Sequence, residues 1–146
     1  MADRAEAPAL NRKGKGDLAE LMVAADLRRR GFGVAIPFGE DSDFDLVLIR
    51  SGQLERVQVK YVASDGAVIR VKCFSHSLTN GKVRRTKQYT SATIDILAVY
   101  DETTSRCYYL PAKELGLGRS SVHLRLRPAL NGQSAGTRLA EDYLVP

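Results

Sequence analysis

The alternation of apolar and polar positions predicts one long amphipathic helix near the start of the chain. Four apolar residues recur at the i, i+3, i+4, i+7 spacing of a buried helical stripe: Leu18, Leu21, Met22 and Ala25. The helix is expected from Gly16 to Arg30, with Gly31 as its C-terminal stop. Glu20 falls on the flank of this stripe, so its carboxylate is expected near the boundary of the core.

Short apolar segments bounded by turn residues follow, and they predict strands. These are expected over residues 33–38, 44–50, 54–61, 67–74, 94–100, 106–110 and 122–127. Residues 75–87 are polar and basic and are predicted to form a loop. One helix followed by many strands predicts an α+β fold with a mixed sheet. We expect residues 1–13 to be a flexible arm and residues 14–146 to form a single domain.

The second and third strands are predicted to form a hairpin, because Ser51-Gly52 lies between them as a tight turn. If Arg50 pairs with Gln53 across this turn, Asp45 lies opposite Gln58. Directly opposed residues point to the same face of a sheet, and Lys60, two residues after Gln58, shares that face. The hairpin therefore brings a carboxylate, an amide and an ammonium together.

This grouping suits hydrolysis of a phosphodiester bond. A hard cation such as Mg²⁺ prefers oxygen ligands, which Asp45 and the Gln58 carbonyl oxygen offer, and it can activate a water molecule. Lys60 can stabilise charge that develops on the phosphate. Glu20 can add a second carboxylate if the helix packs beside the hairpin. The alternative interpretation is an ordinary solvated sheet face that carries the same residues.

Composition excludes several other classes of protein. With 146 residues, of which 44% are hydrophobic and 27% charged, the chain can build a core without metal or disulfide staples. No apolar run has the length of a membrane span, and the start of the chain has no apolar segment of a secretory signal. The two cysteines and two histidines lack zinc-ligand spacing, and free thiols in the cytoplasm are expected.

The net charge of +5 is compatible with a polyanionic partner. Basic residues concentrate in two places. Arg70 and Lys72 alternate on one predicted strand, and the polar loop carries Lys82, Arg84, Arg85 and Lys87 with Tyr89 beside it. We expect the basic residues to contact DNA phosphates and Tyr89 to stack on a base or sugar. The alternative is a charged loop that only faces solvent.

Asp45 and the tripeptide Gln58-Val59-Lys60, preceded by a helix that carries Glu20, resemble the PD-(D/E)xK nuclease superfamily in its glutamine variant. The order of helix, strand, Asp-bearing strand and QxK strand is similar to the core of that superfamily. Segments 13–34, 94–100, 108–111 and 124–143 resemble group I intron homing endonucleases of this fold. The opening also resembles archaeal Holliday-junction resolvases.

The resemblance implies a Mg²⁺-dependent endonuclease, with Mn²⁺ as a substitute, that cuts double-stranded DNA. It assigns catalysis to Glu20, Asp45, Gln58 and Lys60, implies a homo-oligomer, dimer or tetramer, and leaves a junction resolvase as an alternative. Two departures stand out: Phe44 replaces the proline before Asp45, and Gln58 replaces the usual acid. The second departure is also compatible with an inactive DNA-binding module. The second core helix of the superfamily is not evident after the third strand.

Overall fold

The computed structural model describes residues 6–79, 82–129, 131 and 137–146, with the backbone alone over 77–79 and 83–85. The fold is α+β, as predicted. Its elements are α1 (Arg12–Arg29), β1 (Gly33–Ala35), β2 (Leu46–Arg50), β3 (Gln53–Val62), β4 (Val68–Lys72), β5 (Phe74–Thr79), β6 (Lys82–Gln88), β7 (Ile96–Asp101), β8 (Arg106–Pro111), β9 (Ser121–Arg125), β10 (Arg138–Leu139) and two 3-10 helices, Ala112–Leu115 and Ala140–Tyr143.

A five-stranded mixed sheet in the order β1-β2-β3-β7-β8 forms the centre. Only the β3–β7 pair is parallel, and the other pairs are antiparallel. The β2–β3 hairpin turns at Ser51 and Gly52 with φ angles of 49° and 72°, so Arg50 pairs with Gln53 as predicted. Strand β1 lies at the edge, as expected from the nearby Pro37.

Helix α1 packs on one face of this sheet, but with a different stripe from the predicted one. Its buried residues are Ala19, Val23 and Leu27, whereas Leu21 is 68% exposed. Asn11 caps the helix by accepting a hydrogen bond from the Gly14 N–H at 2.9 Å. Arg12 and Lys13, assigned to the arm by sequence, are therefore already helical. Residues 1–5 of that arm lie outside the described residues.

The other face of the central sheet is also covered. A smaller sheet in the order β10-β9-β4 and the two 3-10 helices pack there around a second apolar cluster, which includes Ile69, Leu97, Leu110 and Leu124. The face of β3 that carries Gln58 and Lys60 belongs to this second side, since Val57 and Val59 point towards α1. This face is therefore partly enclosed and is not an open, solvated surface.

Residues 75–87 do not form the predicted loop. Strands β5 and β6 pair as an antiparallel two-stranded ribbon, separate from the other two sheets, with an irregularity between Ser77 and Leu78. Within the described residues there is no α-helix between β6 and β7, only a turn in which the Thr93 and Ile94 N–H groups donate to Thr90. No helix in the described part has the length and apolar character needed to cross a bilayer.

Candidate active site

Asp45 lies immediately before β2, where the chain enters the central sheet. The regular ladder ends at Leu46 and Val57, one pair short of the predicted pair between Asp45 and Gln58. Instead, the Asp45 N–H donates to the Val57 carbonyl at 2.9 Å. The Asp45 carboxylate in turn accepts a hydrogen bond from the Val59 N–H at 3.0 Å through Oδ2. The two bonds fix the carboxylate against the middle of β3.

Burial dominates the electrostatics of Asp45. It raises the pKa of this carboxyl, while the Val59 N–H and the Lys60 ammonium act in the opposite direction. Lys60 is also desolvated, and burial lowers the pKa of its ammonium despite the attraction of Asp45. Asp45 and Lys60 are thus two partly buried groups of opposite charge, and each favours the charged form of the other.

Glu20 joins this pair from α1. Burial raises the pKa of its half-buried carboxyl, and the nearby Asp45 and Asp17 carboxylates raise it further. The influence of Asp45 indicates that α1 carries a second carboxylate near Asp45. The role of Glu20 as a metal ligand stays a prediction, since α1 covers the face of the sheet opposite to Gln58 and Lys60. Two carboxylates that repel each other in a partly desolvated place favour a cation or a proton between them.

Gln58 is half-buried on β3. The only hydrogen bond that its side chain makes to a described residue is a long one, 3.5 Å from Nε2 to the Val59 carbonyl. The carbonyl oxygen of the amide thus makes no hydrogen bond in this part of the chain and remains available as a ligand. Gln58 faces the same enclosed side of the sheet as Lys60, as the alternation along β3 predicts.

The ammonium of Lys60 is held by two groups outside the hairpin. Its Nζ donates to the Phe74 carbonyl at 3.1 Å, and it lies 5.0 Å from the centroid of the Tyr89 ring. Tyr89 is itself anchored, since its N–H donates to the Cys73 carbonyl at 2.9 Å. The sequence could not predict the Phe74 contact, because it is made by a backbone carbonyl. Every residue has such a carbonyl, and only the fold determines which one lies near Lys60.

Tyr89 is only 3% exposed, which contradicts the prediction that its ring stacks on a base or sugar. Stacking on a nucleotide needs an accessible ring face, and the Tyr89 ring instead faces Lys60 inside the protein. Tyr89 was predicted as a contact to DNA, and its ring instead has the Lys60 side chain as its partner.

The predicted phosphate-contacting residues lie on two surfaces. Arg70 and Lys72 are on the outward face of β4, where Arg70 makes an exposed ion pair with Asp65 at 3.3 Å. Lys82, Arg84, Arg85 and Lys87 lie on β6 of the ribbon. Lys87 Nζ contacts the Asp43 carboxylate, two residues before Asp45, so the ribbon is tied to the candidate site at its base. Asp43 is therefore paired with Lys87.

The donor chemistry of the site fits a divalent cation. No group of three or more His, Cys, Asp or Glu residues with metal-binding geometry occurs in the described part of the chain. The candidate set is instead two acids and one amide: Glu20, Asp45 and Gln58. All three offer oxygen, the element that Mg²⁺ prefers, and one or two carboxylates with water and phosphate are its usual environment.

Comparison with known proteins identifies the family of the chain. No curated protein matches the chain. Among solved structures, a bacterial homing endonuclease, I-Ssp6803I, is similar with a TM-score of 0.70 and 22% sequence identity, over 92% of this chain and 88% of that one. The family model described as PD-(D/E)XK endonuclease matches residues 10–146. The chain therefore belongs to the PD-(D/E)XK endonuclease family.

Proposed function

We propose that this protein is a Mg²⁺-dependent DNA endonuclease of the homing type, in which Glu20, Asp45 and Gln58 hold the metal ion and Lys60 acts on the phosphate. The observation that carries the proposal is the hydrogen bond from the Val59 N–H to Asp45 Oδ2, which holds this carboxylate against the strand segment that carries Gln58 and Lys60, in a family of endonucleases. Mn²⁺ is expected to substitute for Mg²⁺.

Each residue has a separate task. The Val59 N–H holds Asp45 by Oδ2, and Oδ1 is the oxygen that we propose as the metal ligand. The Gln58 amide oxygen supplies a neutral ligand, and Glu20 supplies the second negative charge. A bound divalent cation lowers the pKa of a water molecule and polarises the phosphodiester. Lys60, fixed by Phe74 and Tyr89, stabilises the negative charge that develops on the phosphate during hydrolysis.

The proposed substrate is double-stranded DNA, contacted through the basic residues on β4 and β6. We further propose that the protein works as a homo-oligomer, dimer or tetramer, since two cuts in a duplex need two active sites. The buried free thiols of Cys73 and Cys107 agree with the reducing cytoplasm that we propose as its location. A structure-specific nuclease that resembles junction resolvases is the alternative within the same chemistry.

A second candidate function follows from one observation, the neutral Gln58 in place of an acid. An amide contributes a dipole and no net charge to the metal, so the same fold can serve as a DNA-binding module without cleavage. The two candidates differ in a single test. Purified protein is incubated with supercoiled plasmid DNA and Mg²⁺, Mn²⁺ or Ca²⁺, beside the Lys60→Ala variant.

An active nuclease nicks or linearises the plasmid with Mg²⁺ and Mn²⁺, and Lys60→Ala loses this activity while it still binds DNA. Ca²⁺ should bind without supporting cleavage, because its looser coordination misplaces water and phosphate. Calorimetric titration of the metal into wild type and Asp45→Asn checks the ligand assignment, since the variant should lose binding. A wild type that binds DNA but never cuts it identifies the binding module.

A further inference from the structure

A cleft lined almost entirely by cationic and hydroxyl side chains opens beside the smaller sheet. Its volume is about 290 Å³, and the lining includes Arg119, Ser121, His123, Arg125, Thr137 and Arg138. No carboxylate from the described residues lines it. Ser121, His123 and Arg125 come from alternate positions of β9, so they share the outward face, while Val122 and Leu124 face the core.

The arginines of this cleft are placed to receive an anion from outside. Neither Arg119 nor Arg125 belongs to an ion pair between described residues, and only Arg138 is paired, with Glu114 at 3.4 Å. Clustered like charges repel one another and destabilise a fold unless a counter-charge is bound. Planar guanidinium groups with hydroxyls beside them are the side chains that bind phosphate oxygens best.

The cleft continues the surface that carries the candidate active site. On β4, Lys72 pairs with Ser121 and Arg70 with His123, so the outward face of the smaller sheet is basic across both strands. Cys73 directly follows Lys72, and its N–H donates to the carbonyl of Ser120, the residue after Arg119, at 3.0 Å. The carbonyl of the next residue, Phe74, accepts from Lys60 Nζ at 3.1 Å. The end of β4 therefore connects the active-site lysine to the segment that carries Arg119.

We propose that this cleft binds a backbone phosphate of the same DNA duplex that is cut at Asp45 and Lys60. This inference rests on the proposed function, and it extends the DNA footprint to a surface formed by β4, β9 and β10. The contact is with the phosphate backbone and does not depend on base sequence, since the lining offers charge and hydroxyl groups at the mouth of a shallow cleft.

The test compares two charge-matched double variants. Arg119→Ala/Arg125→Ala removes two positive charges from the cleft. Arg28→Ala/Arg29→Ala removes two exposed arginines from the last turn of α1, on the face of the central sheet that the smaller sheet does not cover. Affinity for a fluorescently labelled duplex of mixed sequence is measured with Ca²⁺ over a NaCl titration. The Arg119→Lys/Arg125→Lys variant keeps both positive charges. A loss of affinity in this variant would therefore come from altered folding or side-chain shape and not from lost charge.

Each lost phosphate contact should reduce the slope of log affinity against log salt by about 0.9. We expect the cleft variant to lose up to about 1.8 from this slope, the lysine variant to keep most of it, and the control variant to match the wild type. An unchanged slope in the cleft variant overturns the proposal, as does an equal loss in the control variant. If the wild type fails to bind duplex DNA at all, the proposed function fails as well.

Discussion

At the scale of single residues, the candidate site depends on how the charge missing from a neutral metal ligand, Gln58, is supplied by other residues. Gln58 contributes no charge, and the two carboxylates that do, Glu20 and Asp45, interact in a partly buried place. The site is therefore expected to be sensitive to the loss of either charge and of the amide. The position of Lys60 depends on other groups, because its ammonium is held by a backbone carbonyl and an aromatic ring.

Substitutions at Gln58 and Glu20 test the ligand set. Gln58→Ala should abolish single-turnover cleavage while the fold is retained, and Glu20→Gln should be nearly as damaging because only Asp45 then neutralises the metal. Gln58→Glu should keep some activity or bind metal more tightly, since it restores the commoner ligand type. Cleavage of a matched DNA substrate by the three variants is the measurement. Full activity in Gln58→Ala removes this residue from the site.

Tyr89 is expected to position Lys60 through the face of its ring. Tyr89→Phe keeps the ring and should cleave at close to the wild-type rate, whereas Tyr89→Leu should lower the single-turnover rate about tenfold or more, since a cation–π contact to a desolvated ammonium contributes about 2 kcal/mol. DNA affinity should change little in both variants. Equal rates for Phe and Leu variants with equal thermal stability contradict this role.

At the scale of elements, the helix and the ribbon are the parts that the structure most revised. Helix α1 is rotated relative to the predicted stripe, so that Ala19, Val23 and Leu27 face the sheet. This rotation is also what carries Glu20 towards Asp45, since the two lie at the margin of the buried face. The ribbon arises because two consecutive polar segments, β5 and β6, pair with each other and not with the central sheet.

Two leucines of α1 give a matched test of the packing. Leu27 is fully buried against the central sheet, and Leu27→Ala should lower the free energy of unfolding by about 2–5 kcal/mol. Leu21 is 68% exposed, so Leu21→Ala should change it by no more than about 0.5 kcal/mol. Denaturant unfolding of both variants provides the measurement. The reverse order of the two costs would support the stripe predicted from sequence.

The ribbon is expected to contribute to DNA affinity through phosphates. Arg84→Ala/Arg85→Ala should weaken binding to matched and unmatched duplexes by the same factor, and the salt dependence should fall by roughly one unit per lost contact. A loss confined to the matched duplex would instead indicate that β6 reads bases, which a two-stranded ribbon in a major groove can do. A double variant with the wild-type slope shows that the ribbon faces away from DNA.

At the scale of the whole molecule, one ion pair ties β3 to the residue immediately before β7, 39 positions later in the chain. The Arg56 guanidinium contacts the Asp95 carboxylate at 3.0 and 3.1 Å, and the Arg56 N–H donates to the same carboxylate at 2.7 Å. These contacts lower the pKa of Asp95. A carboxyl with a lowered pKa in the folded state stabilises the protein above its unfolded pKa of about 3.9.

That stabilisation is lost as the pH falls through the folded pKa of Asp95. We expect the wild type to melt at a higher temperature than Asp95→Asn at neutral pH, and the difference to shrink as the pH is lowered below about 4. Thermal unfolding of both proteins over a pH series provides the comparison. A difference that stays constant across the series excludes the Asp95 charge as its origin.

The sequence by itself was sufficient for the features that depend on short-range periodicity. The Ser51-Gly52 turn sets the β2–β3 register, and the strand period of two then places Gln58 and Lys60 on one face. Together with the preceding helix that carries Glu20, this local order was enough to indicate the family and the four residues of the candidate site. The order of the strands along the chain likewise predicted the α+β class.

The tertiary structure decided what depends on contacts between distant segments. No local pattern specifies three features of the fold: the rotation of α1, the pairing of β5 with β6, and the packing of the smaller sheet on the central sheet. They arise from long-range packing, because several surfaces of similar hydrophobicity compete for the same contacts. Tyr89 shows the consequence: its sequence neighbourhood is that of an exposed basic loop, and its ring lies against Lys60, 29 positions earlier in the chain. Burial and ring partners follow from long-range packing alone.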